Sequence, residues 1–188
     1  MLSFTCLYSH KCRFFAYTGN MKSIKAYSIF GILFVILTGT LSHFVYEWSG
    51  NNFILGFLFP VNESVWEHMK LIFFPMLLYS FYMNQKLKDE NPCVSSALLS
   101  GILIGTFLIP VIYYTYSGVL GSNNTVLDIA TFLVSVLLAF YSVYRLSLSC
   151  SSQLCSSCLV ICVWTVAICF LLFTYLPPDL GLFENPPE

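Results

Sequence analysis

Ionisable side chains are the scarcest class in this sequence: Lys, Arg, Asp and Glu together make up 9% of its 188 residues, against roughly 25% in soluble domains. Beside 57% apolar and 18% aromatic residues, that shortage excludes a chain that folds in water and leaves a lipid bilayer as its solvent. Basic residues number only eight and the net charge is -1, which excludes the electrostatic footprint of a nucleic-acid binder. Chemical signatures are missing too. Neither His-Glu-x-x-His nor the Glu-x-x-His of di-iron bundles occurs, so no named metal motif is present. There is no nucleophile motif and no inverted repeat of the kind transporters carry. No stretch has the polar, loop-rich character of an added soluble module, which leaves one domain.

What the sequence does have is long uncharged runs. A hydrocarbon core about 30 Å thick needs about 20 apolar residues in a helix. Runs over 26–46, 94–116, 126–144 and 155–176 meet that length. A fifth, 71–83, spans only if the polar turn from Asn62 to Lys70 continues the same helix, giving a span over 62–83. The expected fold is therefore all-α, a polytopic transmembrane helical bundle of five spans, multi-pass in the plasma membrane. Lys11, Arg13, Lys22, Lys25, Lys86, Lys88 and Arg145 all fall on one side of that arrangement, with Lys70 alone opposing. Basic loops stay in the cytoplasm, so the N-terminus is expected inside and the C-terminus, with Asp179, Glu184 and Glu188, outside. Residues 1–20 mix Cys6, His10, Lys11, Cys12 and Arg13 without period or turn logic, whereas Met21 leads straight into the first span. The first 20 residues are expected to be a non-native or disordered leader, and residues 21–188 the transmembrane domain.

Ionisable groups at the ends of spans are costly unless they face a wet cavity or one another, so each is a functional candidate. His43 and Glu47 close the first span and, four apart, share a helix face. The second span opens with Asn62, Glu63, Glu67, His68 and Lys70. Alternation of spans brings Asp128 of the fourth, and Tyr113, Tyr114, Tyr116 and Tyr175, to the same level. An extracytoplasmic pocket of His43, Glu47, Asn62, Glu63, Glu67, His68, Lys70 and Asp128 is the expectation. Each member also has a plainer role. Asn62 is a good N-cap, Ser64-x-x-Glu67 has the form of a capping box, Glu67 and Lys70 can neutralise each other at i, i+3, and the tyrosines suit an aromatic belt. Imidazole with carboxylate suits Zn²⁺ or Fe²⁺, and His43, Glu47, Glu63, Glu67 and His68 could supply such a divalent metal with its ligands. Two functions follow. The pocket binds a small solute, proton or metal ion, with Glu63, Glu67 and Asp128 titrating against Lys70. Alternatively it is a metal-assisted hydrolase or transferase site acting on a lipid-like ligand. An accessory subunit whose outer face docks a partner is the third option.

Cys155, Cys158, Cys162 and Cys169 form one helical stripe, read as small packing residues rather than a redox or zinc motif. No disulfide is expected, since Cys93 and Cys150 fall on the reducing side. Gly101-x-x-x-Gly105 is a small-residue contact motif for a neighbouring span or for another protomer in a homo-oligomer. Pro75 and Pro110 should kink their helices.

Leu41-Ser-His43-Phe-Val-Tyr46-Glu47-Trp48-Ser-Gly50 and Phe59-Pro60-Val-Asn62-Glu63-Ser64-Val-Trp66-Glu67-His68-Met-Lys70-Leu resemble an uncharacterised family of small membrane proteins from Firmicutes, mainly clostridia and relatives. The resemblance runs from about Met21 to the tail, where Tyr175-Leu-Pro-Pro178 and Leu182-Phe183 look like the family's ending. It implies residence in a bacterial plasma membrane and supplies no activity.

Overall fold

The computed structural model describes residues 21–149 and 156–185. Six helices follow one another: α1 (Met21–Trp48), α2 (Phe53–Gly56), α3 (Val65–Leu87), α4 (Val94–Leu120), α5 (Thr125–Ser149) and α6 (Ser156–Phe173). No strand occurs among the described residues. The leader expected over residues 1–20 and Cys155 of the cysteine stripe lie outside them. Among the described residues, α1, α4, α5 and α6 are long and apolar enough to cross a membrane.

α1 and α4 each pack against both α3 and α5, and α6 lies on α4. The result is a ring of α1, α3, α4 and α5 with α6 on its outside. Long helices alternate in direction. His43, near the end of α1, meets His68 near the start of α3, while at the other end Tyr79 of α3 donates to the Tyr27 carbonyl of α1 at 2.6 Å. Ile72, Phe73, Met76, Ile102, Val136 and Ala139 fill the interior at 0% exposure. The outer faces are apolar as well: Phe30, Leu33 and Leu37 on α1, Leu137 and Tyr141 on α5, and Ile161, Trp164 and Ile168 on α6 are all exposed. Helices that are apolar all round are of the kind found in membrane spans or in the core of a large protein.

Small residues decide how closely the helices approach. On α1 the buried stripe is Ile24, Ser28, Gly31, Val35, Gly39 and Ser42, spaced by three and four so that all face one way. A Cβ at Gly31 would stand 2.3 Å from the ring of Phe140, and one at Gly39 would stand 2.5 Å from the Leu71 carbonyl oxygen. Leu71 lies four residues before Pro75, which has no N–H to claim that carbonyl. Gly39 thus covers the one acceptor that the buried proline leaves over. The Gly101 and Gly105 stripe is taken up within the chain: their added Cβ atoms would meet Val143 at 2.4 Å and Ala139 at 2.8 Å, both on α5.

Three expectations need correction. The second helix begins at Val65 rather than at residue 62, because Ser64 is the N-cap, extended at φ -67 and ψ 153, with its Oγ accepting the Glu67 N–H at 3.3 Å. Asn62 acts one step upstream, its Oδ1 accepting the Ser64 N–H at 2.9 Å. The cysteine stripe packs inward only in part: α6 buries Val163, Ala167 and Phe170, which turns Cys158 and Cys162 outward, while the half-buried Cys169 packs against the core. Cys93, expected as a reduced thiol, is disulfide-bonded.

Candidate metal-ligating site at the helix ends

The segment between α1 and α3 sets the geometry. Gly50 and Asn51 both take positive φ, 71 and 59, a region open to Gly and tolerated by Asn, and they turn the chain back over the end of α1. Asn52 then caps α2, its Oδ1 accepting the Ile54 N–H at 2.9 Å. With Ser64 as N-cap, Glu63 lies just before α3 and is released from the helical register. It therefore does not share a face with Glu67, as an unbroken helix from residue 62 would require, and the two carboxylates part company.

Glu63 turns to the imidazoles. His43 Nε2 stands 3.6 Å from its Oε1 and His68 Nε2 3.4 Å from its Oε2. Both separations exceed the 2.7–3.2 Å or so of a direct N–H···O hydrogen bond. The imidazole rings lie 5.4 Å apart, and one ligand atom from each of His43, Glu63 and His68 falls within 4.8 Å of the other two. A tetrahedral zinc with bonds of about 2.1 Å holds its ligand atoms about 3.4 Å apart, so a small inward adjustment of the rings gives that geometry. His68 is prepared for it. Its Nδ1 lies 2.9 Å from the Ser64 carbonyl, which fixes Nδ1 as the donor and leaves the Nε2 lone pair toward Glu63, as outer hydrogen bonds do for metal-bound histidines. His43 Nδ1 is buried without a partner among the described residues, and its ring is held by edge contact with Phe44 at 5.1 Å. The histidine side chains are 29% and 28% exposed and Glu63 65%, so the cluster opens outward through its carboxylate.

Beside it lies a cavity of about 40 Å³ lined in part by Glu63, His68, Tyr113 and Asp128, which gives a water somewhat more than the space it needs. Asp128, in the first turn of α5, accepts a hydrogen bond from the Tyr116 hydroxyl. The remaining expected members stand elsewhere. Glu47 is exposed and Asn62 is exposed, and neither belongs to the cluster.

Glu67 and Lys70 form a second, closed unit. Both are buried, at 2% and 1% exposure. The Lys70 ammonium donates to Glu67 Oε2 at 2.7 Å, to the Gly56 carbonyl at 3.0 Å and to Thr174 Oγ1 at 2.6 Å. Those are all three of its donors. Glu67 Oε2 also accepts the Val61 N–H at 3.0 Å, and Thr174 passes its own proton to the Phe170 carbonyl at 2.6 Å. Glu67, expected to complete a capping box or to ligate metal, is held by this network instead. Thr174 and Gly56 carry no signal in the sequence that pairs them with Lys70.

The chain after α6 folds back over the same end. The Trp66 N–H donates to the Leu182 carbonyl at 3.0 Å, the Trp66 ring packs between Phe170 at 4.7 Å and Phe183 at 4.9 Å, and Asn185 Oδ1 accepts the Glu63 N–H at 3.2 Å. Tail and the Glu63 carboxylate are thus joined through one peptide group.

A family model described as a family of unknown function, DUF6512, matches residues 16–186. The chain belongs to that family. No curated protein and no solved structure matches it.

Proposed function

We propose that this DUF6512 member is a five-span protein of the bacterial plasma membrane, N-terminus inside and C-terminus outside, that holds a divalent transition-metal ion at its extracytoplasmic end through His43, Glu63 and His68. The observation that carries the metal is the mutual approach of three ligand atoms to within 4.8 Å, with separations too long for direct hydrogen bonds. Two imidazoles and one carboxylate are the donor set of open zinc sites, in which a fourth position is left for water or substrate; Fe²⁺ is the next candidate. The fifth span is α3. Its 23 residues reach about 34 Å, and its charged first turns are enclosed by neighbouring helices and tail.

Orientation rests on Lys22, Lys25, Lys86, Lys88 and Arg145, all at the end opposite the site. A disulfide such as that of Cys93 belongs in an oxidising compartment, so sidedness is best measured directly. A membrane-impermeant thiol reagent on intact cells should reach Val119→Cys and not Asp89→Cys; the reverse pattern would invert the topology.

Binding an ion, rather than turning over a lipid-like substrate, is favoured by the size of the adjoining cavity, since about 40 Å³ admits water and no lipid head group. The hydrolase reading keeps one support, the Asp128 carboxylate facing the same cavity, where it could take a proton from metal-bound water. Metal analysis of detergent-purified protein should find one zinc per chain after zinc exposure and dialysis. His43→Ala and His68→Ala should each weaken binding by more than the roughly 10–100-fold lost with outer partners of a metal. Glu47→Ala should leave it unchanged. Because protons compete for imidazole and carboxylate, binding should weaken on acidification. A wild-type protein that retains no zinc would end the proposal.

A further inference from the structure

At the opposite, basic end a groove of about 270 Å³ opens between α3, α4 and the first turns of α6. That volume lies just under the range of small-molecule sites. Leu77, Phe81, Leu98, Ile102, Val163 and Trp164 form its walls, and Phe81 and Trp164 are each 58% exposed, so it opens sideways toward the surrounding apolar medium. Its floor is polar. Ser80 lines it at 7% exposure, and the Ser80 hydroxyl has no hydrogen-bond partner among the described residues, an expensive state for a buried O–H. Asn84 and Ser95 join it there, with Ser95 donating to Asn84 Oδ1 at 2.6 Å, which leaves the two N–H donors of the Asn84 amide for another acceptor.

Leu77, Ser80, Phe81, Asn84 and Lys88 recur at intervals of three and four, so they share one face of α3. Lys88 is the exposed C-cap of that helix and lies one helical turn beyond Asn84 of the groove's polar floor. The order along this face is apolar wall, hydroxyl and amide donors, then a cation. A glycerophospholipid has the complementary order: acyl chain, ester carbonyls that only accept hydrogen bonds, then phosphate.

We propose that this groove is a binding site for one anionic glycerophospholipid, with an acyl chain along α4 and α6, an ester carbonyl on Ser80 and Asn84, and the phosphate at Lys88. Basic pockets between membrane helices bind acidic head groups in this way, and the N-terminus of α4, which carries Ser95 in its first turn, adds its positive dipole end to the same place. The site is independent of the metal reading.

Native mass spectrometry of the detergent-solubilised protein with added dioleoyl phosphatidylglycerol or dioleoyl phosphatidylcholine tests it. The wild type should form a saturating one-to-one adduct, with phosphatidylglycerol preferred about five-fold, the worth of one interfacial cation. Lys88→Gln should abolish that preference while retaining the adduct. Ser80→Ala, which removes the hydroxyl without adding volume, should weaken both lipids several-fold, leave zinc content unaltered and not lower the unfolding midpoint of the lipid-free protein. Non-saturating ladders of either lipid would show ordinary boundary lipid and overturn the proposal, as would adducts unaffected by both substitutions.

Discussion

Lys70 is an ammonium at 1% exposure, a position tolerable only because each of its N–H groups has an acceptor. Removing either member of a buried ion pair strands the other charge and costs about 3–5 kcal/mol, whereas replacing both by apolar groups can be nearly neutral. Lys70→Met and Glu67→Leu should each lower the unfolding midpoint in detergent sharply, and the double variant should recover much of the loss. Additive losses in the double variant would mean that the two side chains do not act as a pair. The pairing itself is legible in the sequence, since i, i+3 neighbours on a helix must meet. Its other partners are not: Gly56 and Thr174 stand 14 and 104 positions away, and no local pattern encodes such a closure. The setting of Glu63 was hard to read for a related reason. Whether it belongs to the helix depends on which of Asn62 and Ser64 ends the loop, and both are good caps; with Ser64 as N-cap it falls just outside.

At the level of the helices, the long apolar runs were readable because lipid demands them; the expected start at 94 coincides with the first residue of α4, and that at 126 falls one residue inside α5. The contact faces were harder to read, since apolar residues point both into the bundle and out of it. Small residues carry that information instead. Gly101 and Gly105 stood out by their spacing, whereas Gly31 and Gly39 are eight apart and become recognisable only beside the serines of the same stripe. Gly39→Ala should destabilise by about 1–3 kcal/mol as an overpacking change, because the new methyl would press on backbone at Leu71 that cannot rotate away. Gly118→Ala, on an open face of α4 with nothing within 4 Å, should be neutral or stabilising by up to about 1 kcal/mol. Thermal unfolding of the two variants in one detergent gives the comparison, and equal effects would remove the case for close α1–α3 approach.

Across the whole molecule, the ends of α1, α4 and α6 and the starts of α3 and α5 come to one level, and the chain beyond α6 closes over them. A chain ended after Leu180 would lose the Leu182 acceptor of the Trp66 N–H, the Phe183 ring and the Asn185 bond to Glu63. Its zinc affinity, measured by competition with a chelating dye, should fall about ten-fold, the scale of an outer partner, while the helical signal in circular dichroism stays near that of the full chain. Unchanged affinity would show that Glu63 is positioned without the tail. The composition announced helices apolar enough to cross a membrane, but nothing in the sequence announced this return of the tail, because Trp66, Leu182 and Phe183 look like ordinary apolar residues until they are seen together.

Lys70 also imposes an order on assembly. Its last acceptor comes from Thr174, at the end of the final helix, so a nascent bundle of α1 to α5 holds a cation with one N–H unanswered in an apolar surround. Ribosomes that stall before α6, or chains cleaved within it, would release a product in which the end around Lys70 cannot close, and quality control should clear it faster than the finished protein.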